Sequence, residues 1–172
     1  MTQNGLPQSH GQSMRSAMKK TIRIRRVSSK KELQKAFAIR TRVFVKEQGV
    51  PEAIELDRDD RRAWHFLAFV GRRPVGTARI VMRRGSAKIG RMAVLKSYRR
   101  QGIGTKLLKR ALAMARKQGA YKIYLHAQVA VIGFYEGLGF RCAGPIFTEA
   151  KIPHRKMILR FRLLASKLPI TL

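Results

Sequence analysis

A mixed α/β fold, one central sheet with helices on both faces, is what the sequence predicts, and three observations carry it. Segments of period two alternate along the chain with segments of period 3.6, as in layered α/β domains. The order they give is strand, helix, a meander of three strands, helix, strand, helix, strand. The length, 172 residues of which 45% are hydrophobic, suits one domain with a sizeable core and is too short for two.

Each element has a local reason. The core begins at Thr21-Ile-Arg-Ile-Arg-Arg-Val27, where Ile22 and Ile24 alternate with polar neighbours as in a half-buried strand. Ser29-Lys-Lys-Glu32 has the spacing of a capping box, so a helix is expected there. Leu33, Ala36, Phe37, Val43 and Phe44 continue it at three- and four-residue steps up to Gly49, with Pro51 just beyond. The acidic stretch 51–60 reads as an irregular or short helical connection. Strands at 64–70 and 75–82 are joined by Gly71-Arg-Arg-Pro74, the turn chemistry of a hairpin, and Arg83-Arg-Gly-Ser86 leads into a third strand at 87–95. Residues 102–118 make the clearest helix: Ile103, Leu107, Leu108, Ala111, Met114 and Ala115 share one side, lysines and arginines take the rest, and Gly119 ends it. A strand at 121–127, a short helix at 131–138 closed by Gly139, and a late strand at 156–161 complete the order. The domain is therefore expected over 21–161, between a basic N-terminal tail, 1–20, and a C-terminal tail, 162–172. The first 20 residues lack the apolar run of a secretory signal.

Composition excludes several classes. The longest unbroken apolar stretch, 66–70, falls far short of the roughly 20 residues a spanning helix needs, so no membrane span is expected. Cys142 is the only cysteine and cannot form an internal disulfide, and histidines at 10, 65, 126 and 154 show no metal-ligand spacing. No metal is expected, and a reducing, cytoplasmic setting is favoured. The charge is the unusual number: 38 Lys and Arg against nine Asp and Glu leave +29. Seven of the nine acids lie between 32 and 60, and residues 61–172 hold only Glu136 and Glu149 against 25 Lys and Arg. A field of that sign attracts phosphates and nucleic acid, although solubility alone explains it equally well.

The informative segment is Met92-Ala-Val-Leu-Lys-Ser-Tyr-Arg99-Arg-Gln-Gly102-Ile-Gly104-Thr105, a strand that turns through arginine and glycine into the clearest helix. Such a turn is an anion cradle. Glycine admits close approach of the backbone, the first amides of the helix are unpaired, and the helix dipole favours negative charge. Arg99 and Arg100 add full charges. Alone, an R-x-x-G-x-G string is weakly specific, and a glycine-rich helix entrance that binds nothing reads the same way. A second segment lies at the right distance: Leu125-His-Ala-Gln128 ending a strand, then Gly133-Phe134-Tyr135-Glu-Gly-Leu-Gly139-Phe140.

Together the two segments resemble the GCN5-related N-acetyltransferase (GNAT) superfamily over roughly residues 21–161. Val43-Phe-Val-Lys-Glu47-Gln48-Gly49-Val50-Pro51, Glu55-Leu-Asp57, Arg91-Met-Ala-Val and His154 narrow the likeness to its small ElaA/YjcF-like branch. The resemblance implies the acyl-CoA N-acyltransferase fold, with a mixed, mostly antiparallel sheet. It also implies acetyl transfer from acetyl-CoA to a primary amine, with no metal. Carried over by position, Met92, Ala93 and Val94 pair by backbone with the pantetheine arm. Arg99, Arg100, Gln101, Gly102, Ile103, Gly104 and Thr105 hold the phosphates. Gln128 and Phe134 complete the cosubstrate contacts, and Tyr135 is the general acid that protonates the departing thiolate. The reading of Tyr135 as a core aromatic beside Phe134 stands next to this one.

The base is the gap. Many members of the superfamily carry a glutamate early in the fourth strand, where this chain has Ala87, Lys88, Ile89 and Gly90. The remaining candidates are Glu47, Glu149 and His154, with His126 further along, and His154 suits proton transfer at neutral pH best. The basic surplus favours an acceptor in an anionic context, taken by a monomer or homodimer, and leaves room for nonspecific nucleic-acid or ribosome association. Two alternatives remain. Arg40, Val43, Phe44, Asp57, Asp60 and Arg79 also resemble the pattern of acyl-homoserine-lactone synthases. A binding module with little catalysis is the other.

Overall fold

The computed structural model describes residues 21–161, so both expected tails, 1–20 and 162–172, lie outside the described residues. Seven strands form one sheet: β1 (Ile22–Arg26), β2 (Trp64–Val70), β3 (Arg73–Arg83), β4 (Ser86–Val94), β5 (Lys122–Gln128), β6 (Arg141–Glu149) and β7 (Ile152–Arg160), in the order β1-β2-β3-β4-β5-β7-β6. All neighbours are antiparallel except β4 and β5. The mixed, mostly antiparallel sheet is as expected.

The period-two pattern of β2 explains why helices occupy both faces. Leu67 and Phe69 pack with Ala36 and Ile39 of α1 (Lys30–Arg40). Phe66, Ala68 and Val70 join the larger core with Ile103, Leu107 and Leu108 of α3 (Ile103–Lys117). Five fully or nearly fully buried residues at helical spacing, from Ile103 to Ala115, fasten α3 to the sheet.

Three details differ from the expected layout. The Ser29 hydroxyl accepts from the Glu32 amide at 3.2 Å, but the Glu32 carboxylate reaches the Ser28 amide, at 3.0 Å, rather than closing the box on Ser29. The first helix does not run on as an α-helix to Gly49. Thr41–Glu47 is wound as a π-helix, with the Gln48 amide donating to the Val43 carbonyl at 3.1 Å. The wider turn places Glu47 and Gln48 against residues of distant elements. Finally, β6 is absent from the sequence reading, and β7 begins at Ile152 rather than 156. Gly144 and Pro145 interrupt β6, its register shifts between Cys142 and Ile146, and no residue in it is fully buried. An edge strand tolerates all three, and for the same reason it carries no clear hydrophobic alternation.

The acidic stretch is short helical, α2 (Glu52–Glu55) and a 3-10 turn at Arg58–Arg61, and its acids turn inward. Arg40, with no exposed surface, donates to Glu55 at 2.5 Å and to Asp60 at 2.7 Å. Arg79 donates to Asp60 at 2.8 Å and bidentately to Asp57 at 2.6 and 2.9 Å. Arg91 reaches Glu55 and Asp57, both at 3.1 Å. Burial alone would raise the Asp60 carboxyl, but hydrogen bonds from Arg40 and Arg79 outweigh it and hold the group well below the usual carboxylate range. The uneven acid distribution thus has a cause: these carboxylates balance the buried Arg40 and Arg79 and the part-buried Arg91.

Candidate active site

The sheet divides at its one parallel pair. β4 and β5 are bonded only from Ser86 opposite Lys122 to Lys88 opposite Tyr124. Beyond Lys88, β4 stays with β3 and β5 stays with β7, the latter as far as Gln128 opposite His154. A bulge helps to turn β4 away. Gly90 opposes Arg79 and Ala93 opposes Thr77, so Arg91 and Met92 share Ala78 as partner, and Arg91 adopts φ +51°. The resulting cleft encloses about 800 Å³.

One end of the cleft is made of main chain. Gly102 caps α3 at φ +75° with no side-chain cap, which leaves the first-turn amides without internal acceptors. A Cβ on Gly102 would meet no atom within 4 Å, and Gly102, Ile103, Gly104 and Thr105 all line the cleft. Gly104 lies against the Phe134 ring, where a Cβ would sit 3.5 Å from the ring edge. Open amides, a positive helix terminus and free space fit a diphosphate. Arg99 is anchored rather than free: its Nε donates to the Val94 carbonyl, and its two terminal nitrogens donate to Glu47 at 2.6 and 2.8 Å. Arg100, at φ +60°, lines the cleft and makes no ion pair among the described residues.

At the centre is Tyr135, on α4 (Ile132–Glu136). Its ring packs edge-on against Phe134 and Phe140, at centroid distances of 4.9 and 5.9 Å, and its hydroxyl meets the Met92 sulfur at 3.7 Å. Burial pushes the phenol up to about 12. The group is therefore protonated throughout the neutral range, and its partner is only a weak acceptor. The core-aromatic and site readings of Tyr135 meet here, because the ring is buried while the residue lines the cleft.

The other end is made of side chains from separate strands: Lys88 on β4, His126 on β5, Glu149 on β6 and His154 on β7. His154 Nδ1 lies 2.8 Å from the Ile152 carbonyl. A carbonyl only accepts, so Nδ1 carries a proton and Nε2 is the ring nitrogen turned away from that bond. His126 Nδ1 donates to Glu149 at 3.1 Å. Burial keeps the His126 pKa below its ordinary value. Burial would raise Glu149, yet the hydrogen bond from His126 leaves its carboxyl below the usual range.

Of the fifteen residues expected at the site, thirteen line this one cleft: Met92, Ala93, Val94, Arg99, Arg100, Gly102, Ile103, Gly104, Thr105, Gln128, Phe134, Tyr135 and His154. Two do not. Gln101 turns its amide nitrogen to the Ser97 carbonyl at 3.2 Å. Glu47, one of the candidate bases, is bound to Arg99, whose hydrogen bonds hold its carboxyl below the usual range. Lys88, Arg91 and Gln48 line the cleft without having been singled out for it. Gln48 accepts from Gln128 at 2.8 Å, and strand alternation places Lys88 on the same face as Gly90, two residues on.

A sequence model described as an acetyltransferase (GNAT) domain matches residues 24–161. An uncharacterized N-acetyltransferase of Bacillus subtilis, YjcF, is 37% identical over 131 residues, 76% of this chain and 94% of its own length. Among solved structures, Escherichia coli ElaA superposes with a TM-score of 0.73 at 26% identity, over 80% of this chain and 99% of its own. An acyl-CoA N-acyltransferase from Pseudomonas aeruginosa gives 0.72 at 28% identity, with the same coverage.

Proposed function

The chain belongs to the GNAT acetyltransferase family, and on that premise we propose that it moves an acetyl group from acetyl-CoA directly to the primary amine of an acceptor. The observation that carries this reading is continuity: a single cleft runs from the open amides at Gly102–Thr105, along β4, past the Tyr135 hydroxyl, to His154. The family's cosubstrate supplies a thioester whose acyl carbon an amine attacks.

The chain's own residues have separate tasks. The first-turn amides of α3 and Arg100 bind the diphosphate, while Glu47 holds Arg99 across the mouth of the turn. The splayed main chain of Met92, Ala93 and Val94 offers strand-like hydrogen bonds to the pantetheine arm. An acceptor amine with an ordinary pKa is neutral in about one molecule in 2,500 at pH 7, and deprotonation costs about 4.6 kcal/mol. His154 Nε2 takes that proton, its orientation set by the bond from Nδ1 to Ile152. Tyr135 keeps a proton on Oη at neutral pH and delivers it to the leaving sulfur.

Of the residues behind the lactone-synthase alternative, Arg40, Asp57, Asp60 and Arg79 are bound to one another, while Val43 and Phe44 line the cleft. The test is Tyr135→Phe. Turnover is expected to fall by about 10²–10⁴ with acetyl-CoA affinity retained in isothermal titration. Unchanged turnover removes the phenol from the mechanism, and no binding of acetyl-CoA to the wild type removes the transfer reading altogether.

A further inference from the structure

The charged groups that line the cleft are almost all accounted for. Arg79 is bound to Asp57 and Asp60, Arg91 to Glu55 and Asp57, and Arg99 to Glu47. Glu55 is taken by Arg40 and Arg91, and Glu149 by His126. Two cations remain without an ion pair among the described residues, Arg100 and Lys88, and they stand at opposite ends. Arg100 is on the helix-entrance side assigned to the diphosphate. Lys88 has no such assignment.

Lys88 is half-buried, on β4 at the last residue paired with β5. Lys88, His126 and Glu149 line the same cleft, yet the Glu149 carboxylate already accepts its hydrogen bond from His126. A partly desolvated ammonium without a counterion is unfavourable, and an anion arriving in the cleft relieves that cost. An ammonium offers three rotatable donors as a compact charge, suited to a carboxylate or a phosphate alike. It also repels a second ammonium, which disfavours plain diamines.

We propose that Lys88 receives an anionic group, carboxylate or phosphate, carried by the same acceptor molecule whose amine is acetylated. The enzyme then selects acid-bearing amines by a local contact rather than by its overall charge. This rests on the acetyl-transfer reading above.

The test is a one-pot competition at fixed acetyl-CoA, with acetylated products read by mass spectrometry. β-Alanine is set against n-propylamine and O-phosphoethanolamine against ethanolamine, so the two pairs separate carboxylate from phosphate. The wild type is expected to favour the acid-bearing member of at least one pair roughly tenfold, equivalent to about 1.4 kcal/mol. Lys88→Arg keeps the preference, Lys88→Met abolishes it and Lys88→Glu inverts it, with the change falling on KM for the acid-bearing amine. Acetyl-CoA titration of each variant reports that the fold and the cosubstrate end are intact. Equal acetylation within both pairs by the wild type, or a Lys88→Glu enzyme that still prefers the acid-bearing member, overturns the proposal and leaves the transfer reading standing. Acetyl-CoA binding without product from any amine instead overturns the amine-transfer reading.

Discussion

The helix end of the cleft is built from consecutive main-chain groups, whereas the far end is built from four side chains on four strands. Arg99 to Thr105 form the first within one turn. Lys88, His126, Glu149 and His154 form the second only because β4, β5, β6 and β7 converge there. The difference teaches what each can change. A main-chain cradle depends on backbone conformation and keeps its ligand through most side-chain substitutions. A side-chain chamber can be altered one residue at a time, and its shape depends on whatever braces the strands.

The largest expected effect lies outside both ends, in the buried arginine cluster. Asp60→Ala leaves two buried arginines short of a counterion and is expected to lower stability by about 3–5 kcal/mol, read by urea unfolding. The sign with pH follows from Asp57 and Asp60. Burial would raise both, but contacts with Arg79, and with Arg40 at Asp60, hold them below their ordinary values. Their contribution is therefore complete above the ordinary carboxylate pKa, roughly 4, and is lost as pH falls through the lowered values. An Asp60→Asn protein should show a flatter acid branch of its stability curve, and an unchanged branch would contradict the assignment.

A smaller effect is expected at His154, which sharpens the comparison by touching the chamber alone. His154→Asn should lower kcat/KM by about 10² while leaving acetyl-CoA affinity as it was. An unchanged kcat/KM assigns the proton to another group. The smallest effect belongs to Glu47→Gln at the main-chain end. An exposed pair of this kind contributes about 0–1 kcal/mol, so acetyl-CoA should bind no more than about fivefold more weakly, and a larger loss would mean that the cradle relies on Arg99 after all.

Legibility followed the same division. The glycine turn, α3 and the meander were readable because their signals are local: a left-handed glycine, a stripe at helical spacing, turn residues between alternating runs. Tyr135 and Gln128 were placed by the same short segments. What escaped depends on partners distant in sequence. Glu47 reads as a free carboxylate until Arg99, 52 residues on, is seen to hold it. Arg40 stands out only as part of a motif, and its burial against Glu55 and Asp60, 15 and 20 residues on, has no local signal. The π-helical turn at Thr41–Glu47 has no propensity signature, and β6 lacks one because an edge strand with Gly144 and Pro145 obeys few sequence rules.

The central claim is that bare amides at the entrance of α3 hold the diphosphate of acetyl-CoA and thereby bring its acetyl group to Tyr135. Titrating acetyl-CoA into ¹⁵N-labelled protein tests it directly. The amide resonances of Gly102, Ile103, Gly104 and Thr105 should shift saturably, with an Overhauser contact between the acetyl methyl and the Tyr135 ring. Saturable binding that leaves those four amides unmoved, or an acetyl methyl with no contact to that ring, would contradict the account.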